Sequence, residues 1–166
     1  MNAELTAAVE SERAEVCERR IRQSSTTPTM KAAGLIYMAR AHTTGGRNGA
    51  AHTPDGRLNV KLGSPFGGGV GTNPEQLFAA AWSACFMTSL EAAANQIDMT
   101  LPPGSAVEIE IDLGATEGRY WLRARLRVHL PGMERKVSQT LVAAAHQKCP
   151  YSRITRHNIE VAINVA

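Results

Sequence analysis

Cysteine is scarce in this chain, with three among 166 residues. That is too few for a disulfide scaffold, and it fits a reducing cytoplasm, where a disulfide is transient and catalytic. Neither CxxC nor HExxH occurs, and the histidines (His42, His52, His129, His146 and His157) are scattered, which argues against a metal site. No GxxxxGK[ST] loop is present. The glycine-rich SPFGGGVGTNP over residues 64–74 lacks the strand–loop–helix context of a phosphate cradle and reads as a connection. The basic residues form no long run and the net charge is only +3, which argues against nucleic-acid binding. The first residues carry Glu4, Glu10, Glu12 and Glu15 without an apolar stretch, so no secretory signal is expected. The uncharged run Gln76–Leu90 falls short of the ~20 apolar residues of a membrane span.

A hydrophobic share of 43% and a charged share of 20% describe an ordinary globular chain with one real core. Residues 1–30 are expected to form a polar, helical N-terminal arm containing Cys17, and residues 31–166 a single domain. Leu35–His42 and Arg57–Leu62 read as strands, separated by TTGGRNG over 43–49. Asn73 is a good N-cap and Pro74 a good first-turn residue, so a helix is expected from there to about Asn95. Leu77–Met87 is apolar nearly all round, which predicts burial on every side and hints at a dimer. Val107–Leu113 and Leu122–Leu130 alternate as strands around a loop at Gly114–Gly118, with acidic residues on one outer face and arginines on the other. Met133–Lys148 reads as a helix, and Ile159–Val165 as a closing strand. Strands held in hairpins, without crossover helices, make an α+β layout.

Two cysteines stand in distinctive settings. Cys85 lies in the uncharged helical stretch, and Cys149 ends the later helix just before a proline. Together they suggest a redox pair. His146 precedes Cys149 by three positions, so a Cys–His nucleophile is formally open, but no acyl-transfer motif surrounds it. A free thiol has a pKa near ~8.5 and burial raises it further, so a buried nucleophilic cysteine requires a fixed cation nearby. Arginine stays charged when desolvated, and a carboxylate can hold its fork. Arg47, in GGRNG, and Glu75 are the candidates.

GGRNG, GTNPEQLFAAAWSACF, LPGMERK and HQKCPYS, in this order and spacing, resemble the organic hydroperoxide resistance proteins of the Ohr/OsmC superfamily, over about residues 33–166. GGRxG and CPYS favour the Ohr branch over the OsmC branch. Asn48 stands where an aspartate is common, and Arg153-Ile154 where smaller residues are usual. The resemblance implies an intertwined homodimer with antiparallel sheets wrapped around central buried helices. It implies a thiol peroxidase without metal, haem or flavin, with Cys85 peroxidatic, Cys149 resolving, Arg47 activating the thiolate and Glu75 orienting Arg47. The reductant would be an external dithiol of the lipoyl type, carried on a lipoylated protein. Phe78, Trp82, Phe86 and Met87 would offer an apolar lining for alkyl or lipid hydroperoxides. Glu75 and Cys85 lie ten residues apart on one expected helix, about 15 Å along its axis. If both serve one site, Glu75 comes from the partner chain. The alternatives are an OsmC-branch peroxidase and a non-enzymatic thiol sensor or binding protein on the same fold.

Overall fold

The computed structural model describes residues 34–67 and 70–166. The chain divides into two units, Met1–Ala39 and Arg40–Ala166. The expected arm over residues 1–30, with Cys17, lies outside the described residues. Leu35–Met38 are extended in composition but form no strand, and their side chains are exposed. Of the strand expected over Leu35–His42, only His42 is realised. Alternating apolar residues become a strand only where another strand pairs with them, and residues 35–41 join no ladder among the described residues.

The second unit opens with a small antiparallel sheet of β1 (His42–Thr44), β2 (Ala50–His52) and β3 (Asn59–Lys61). GGRNG makes the β1–β2 connection as a tight 3₁₀ turn over Gly46–Asn48. A side chain at position 49 would put its Cβ 1.8 Å from the Thr44 carbonyl oxygen, so only glycine closes this turn.

Helix α1 (Pro74–Asn95) begins where the sequence places it. Asn73 Oδ1 accepts from the Gln76 backbone N–H at 2.8 Å, and Gln76 Oε1 accepts from the Asn73 N–H at 3.3 Å, a reciprocal capping box. Within the chain α1 buries one side only. Trp82, Phe86 and Leu90 have no exposed surface, and burying each stabilises the fold by about 1.5–3 kcal/mol. The other side, including Ala80, Ala81, Ala84 and Thr88, is exposed. The expectation of burial all round is thus not met by one chain, because a single sheet and two helices cover only one flank. Among the described residues α1 is the one helix whose length and composition would suffice to cross a membrane. Its packing against β4, α2 and α3 makes it the core helix.

That cover comes from a second sheet in the order β4 (Ala106–Thr116), β5 (Arg119–His129), β6 (Glu160–Val165). The β4–β5 hairpin is longer than expected: Gly114 to Thr116 are strand, and the turn is only Glu117-Gly118, both with positive φ. Gly114 faces Trp121, whose ring lies where a Cβ would be, 2.1 Å away at Cζ2. The charge stripes meet as expected. Glu108 pairs with Arg127, Glu110 with Arg125, and Asp112 with Arg123 and Arg125. The two arginines hold the Asp112 carboxyl far below the usual range. The strand β6 corrects the hairpin-only layout. It runs parallel to β5, and α2 (Arg135–Lys148) and α3 (Pro150–Thr155) form the crossover between them. The fold remains α+β, with antiparallel pairing in both sheets. The crossover is what carries Cys149 back to α1.

Candidate functional site

Cys85 sits three turns into α1, and Cys149 at the junction of α2 and α3. Pro150 lacks an N–H to continue α2, so the chain breaks there and restarts as α3. The break aims the Cys149 thiol across at α1, where it donates to Cys85 Sγ at 3.5 Å. Cys149 has no exposed surface, whereas Cys85 is half-buried and open on one side. Burial pushes the Cys85 thiol up from its ordinary value. The Tyr151 backbone N–H pulls it down, and the neighbouring Cys149 pushes it up again. None of these groups is a cation.

A cation stands instead at the start of α1, brought there from the β1–β2 turn. Arg47 reaches from its 3₁₀ turn to the first turn of α1 and grips Glu75 with both ends of its fork, Nη1 to Oε2 at 2.7 Å and Nη2 to Oε1 at 2.5 Å. Such a bidentate pair fixes the guanidinium plane as a lysine could not. The Glu75 carboxyl is held below its ordinary range chiefly by Arg47, and the Arg47 guanidinium is raised in turn by Glu75, with a smaller push from Tyr120. The structure therefore makes two pairs within one chain, Cys85 with Cys149 and Arg47 with Glu75. The ten residues from Glu75 to Cys85 keep them about 15 Å apart along α1.

Trp82 and Phe86 have no exposed surface and belong to the core. Phe78 and Met87 are half-buried. Phe78 packs against Trp82 and Tyr151 with ring centroids 5.4 and 6.0 Å away. Beside Glu75, a cavity of about 340 Å³ is lined by Phe66, Gln76, Ala79, Ile109, Ile111 and Leu113 among others. His146 does not partner Cys149. Its Nδ1 is buried without a hydrogen-bond partner, and burial, then Arg156, lowers its pKa. Among the described residues no group of three or more His, Cys, Asp or Glu could hold a metal ion. Sequence reasoning assigned no role to Tyr151 and Ser152, which meet the middle of α1, the Tyr151 backbone N–H at Cys85 and Ser152 Oγ at Trp82 Nε1–H. Their signal was the CPYS motif, which contains both.

The model of the OsmC-like protein family matches residues 67–164. An organic hydroperoxide resistance protein of Xanthomonas axonopodis pv. citri is 43% identical over 136 residues, covering 80% of this chain and 96% of that protein. The crystal structure of the organic hydroperoxide resistance protein OhrB of Bacillus subtilis superposes with a TM-score of 0.75 at 35% identity, covering 80% of this chain and 100% of that one. The crystal structure of an organic hydroperoxide resistance protein OsmC from Legionella pneumophila gives 0.76 at 37%, covering 80% of this chain and 99% of that one. The chain belongs to the OsmC-like family, in its organic hydroperoxide resistance branch.

Proposed function

We propose that this protein is a cysteine-based thiol peroxidase that reduces alkyl or lipid hydroperoxides to alcohols, acting as a homodimer in the cytoplasm. Family membership supports a peroxide-detoxifying oxidoreductase. The observation that carries the mechanism is the 3.5 Å approach of Cys85 and Cys149 across two helices. The Cys85 thiolate attacks the distal peroxide oxygen. The O–O bond breaks, the alkoxide takes a proton and leaves as the alcohol, and Cys85 becomes a sulfenic acid. The Cys149 sulfur then attacks Cys85 Sγ, hydroxide leaves with a proton as water, and the disulfide forms. The sulfurs need to close only about 1.5 Å to bonding distance. An external dithiol, of lipoyl type on a lipoylated protein, reopens the bridge by exchange and leaves as its own disulfide. A reducing compartment supplies such a donor, which is the ground for the cytoplasmic reading.

Among the described residues of one chain, no cation stands beside Cys85. The dimer supplies one: two α1 helices run antiparallel with their exposed Ala80, Ala81, Ala84 and Thr88 faces together, small side chains that allow close helix packing. The Arg47–Glu75 pair of each chain then serves the Cys85 of the other. Phe78 and Met87, the half-buried members of the apolar set, are the substrate contacts.

Turnover of cumene or tert-butyl hydroperoxide with a dithiol tests this reading, alongside mass spectrometry after one equivalent of peroxide. A Cys85–Cys149 bridge and sustained turnover are expected, with Cys85→Ser inactive and Cys149→Ser accumulating sulfinic acid. Bridge formation without turnover would turn the protein into a thiol sensor, and a Cys85–Cys17 bridge would overturn the residue assignment.

A further inference from the structure

α1 meets α3 along one stripe. Phe78, Trp82 and Cys85 of α1 face Tyr151, Ser152 and Cys149. Most of this contact is apolar and non-directional, so it resists separation of the helices better than it resists sliding. Two side-chain contacts across it are directional. One is between the thiols. The other is the hydrogen bond from Trp82 Nε1–H to Ser152 Oγ at 3.3 Å, between two residues with no exposed surface. Trp82 lies three residues before Cys85, and Ser152 three residues after Cys149. Three residues is close to one helical turn, so each end of the bond is one turn from its thiol. Ser152 is itself held by its backbone, whose carbonyl accepts from the Arg156 N–H and the Thr155 hydroxyl at 3.1 and 3.2 Å.

We propose that the buried Trp82–Ser152 hydrogen bond is the positioning device of the resolving step, locking the register of α3 on α1 so that Cys149 stands over Cys85. The proposal rests on the thiol-peroxidase reading above. In this role Trp82 and Ser152 take no part in making or breaking bonds at peroxide or sulfur. They act through Cys85 and Cys149, and they set how often the sulfenic acid is captured before a second peroxide reaches it. The same register places the Tyr151 N–H against Cys85, which favours the thiolate.

The test compares wild type with Trp82→Phe, Ser152→Ala and the double variant. Each removes one end of the bond while leaving most of the packing in place. Stopped-flow oxidation with excess cumene hydroperoxide, followed by mass spectrometry, separates sulfenic formation from disulfide formation. Each single variant is expected to form the disulfide about 5–10-fold more slowly and to accumulate sulfinic acid at peroxide levels that wild type tolerates. The double variant should be no slower than the worse single one, because both remove one shared bond. Wild-type rates of disulfide formation in both singles, or multiplying losses in the double, would overturn the proposal. The unmutated protein gives an independent reading. The Trp82 indole N–H should be protected from exchange in the reduced protein, distinct from that of the half-exposed Trp121. A rapidly exchanging Trp82 signal would equally overturn the proposal, even if neither variant folded. If wild type itself forms no Cys85–Cys149 bridge, the peroxidase reading fails instead.

Discussion

Mixed dimers test the proposed division of the site between two subunits. Arg47 and Glu75 are bonded within one chain at 2.7 and 2.5 Å, and Cys85 and Cys149 within one chain at 3.5 Å. The two pairs are separated by the ten residues from 75 to 85, about 15 Å of helix. The Arg47 side chain, spent in reaching Glu75, cannot also touch Cys85 of its own chain. If each site takes one pair from each subunit, a heterodimer of Glu75→Ala and Cys85→Ser chains has one site with both lesions and one with neither. Equal mixing of unfolded chains, refolded together, makes about half the dimers mixed, so about a quarter of wild-type activity should return. Arg47→Ala mixed with Cys85→Ser should return the same quarter. Cys85→Ser mixed with Cys149→Ser should return none, since those lesions strike both sites, and Arg47→Ala with Glu75→Ala should fail likewise. The assay is hydroperoxide turnover on heterodimers verified by two different affinity tags. Recovery in the Cys85 with Cys149 mixture, or none in the Glu75 with Cys85 mixture, would refute the trans arrangement.

Arg47→Lys keeps the charge but loses the fork, so the first oxidation of Cys85 should slow at least ~10-fold in stopped flow; a wild-type rate in Arg47→Ala would remove Arg47 from the chemistry. Because Glu75 has a lowered pKa in the fold, its stabilising pairing is complete above the ordinary carboxylate range and is lost as pH falls through that lowered value. The Tm difference between wild type and Glu75→Gln should accordingly be present at pH 7, shrink as pH falls beneath the ordinary carboxylate range, and vanish only once Glu75 is protonated in the fold; a difference that grows in acid would contradict the sign. Gly114→Ala puts a methyl 2.1 Å from the Trp121 ring and threatens its bond to Thr116 Oγ1 at 3.1 Å. Urea unfolding should report a loss of about 1–3 kcal/mol with red-shifted Trp121 emission, and unchanged stability would mean that the hairpin gives way without cost.

Local chemistry determined much of this protein from sequence alone. The Asn73-Pro74 start of α1 is legible because capping is settled within one turn, and the β4–β5 charge ladder because alternation sets both faces of a hairpin at once. Cys85, Cys149, Arg47 and Glu75 could be named as candidates because their motifs are short and contiguous. The tertiary structure decided what depends on residues far apart in the chain. Residues 35–41 of the strand expected at Leu35–His42 lack a pairing partner among the described residues, and periodicity carries no information about whether one exists. The α2–α3 crossover turned β6 parallel, a matter of which edge of β5 remained free. It also set Cys149 over Cys85 across 64 residues of chain, and joined Trp82 to Ser152 in a bond that neither residue's neighbours announce. Periodicity and capping are local and survive in one dimension; a hydrogen bond between helices depends on distance and direction, which only the packed chain supplies.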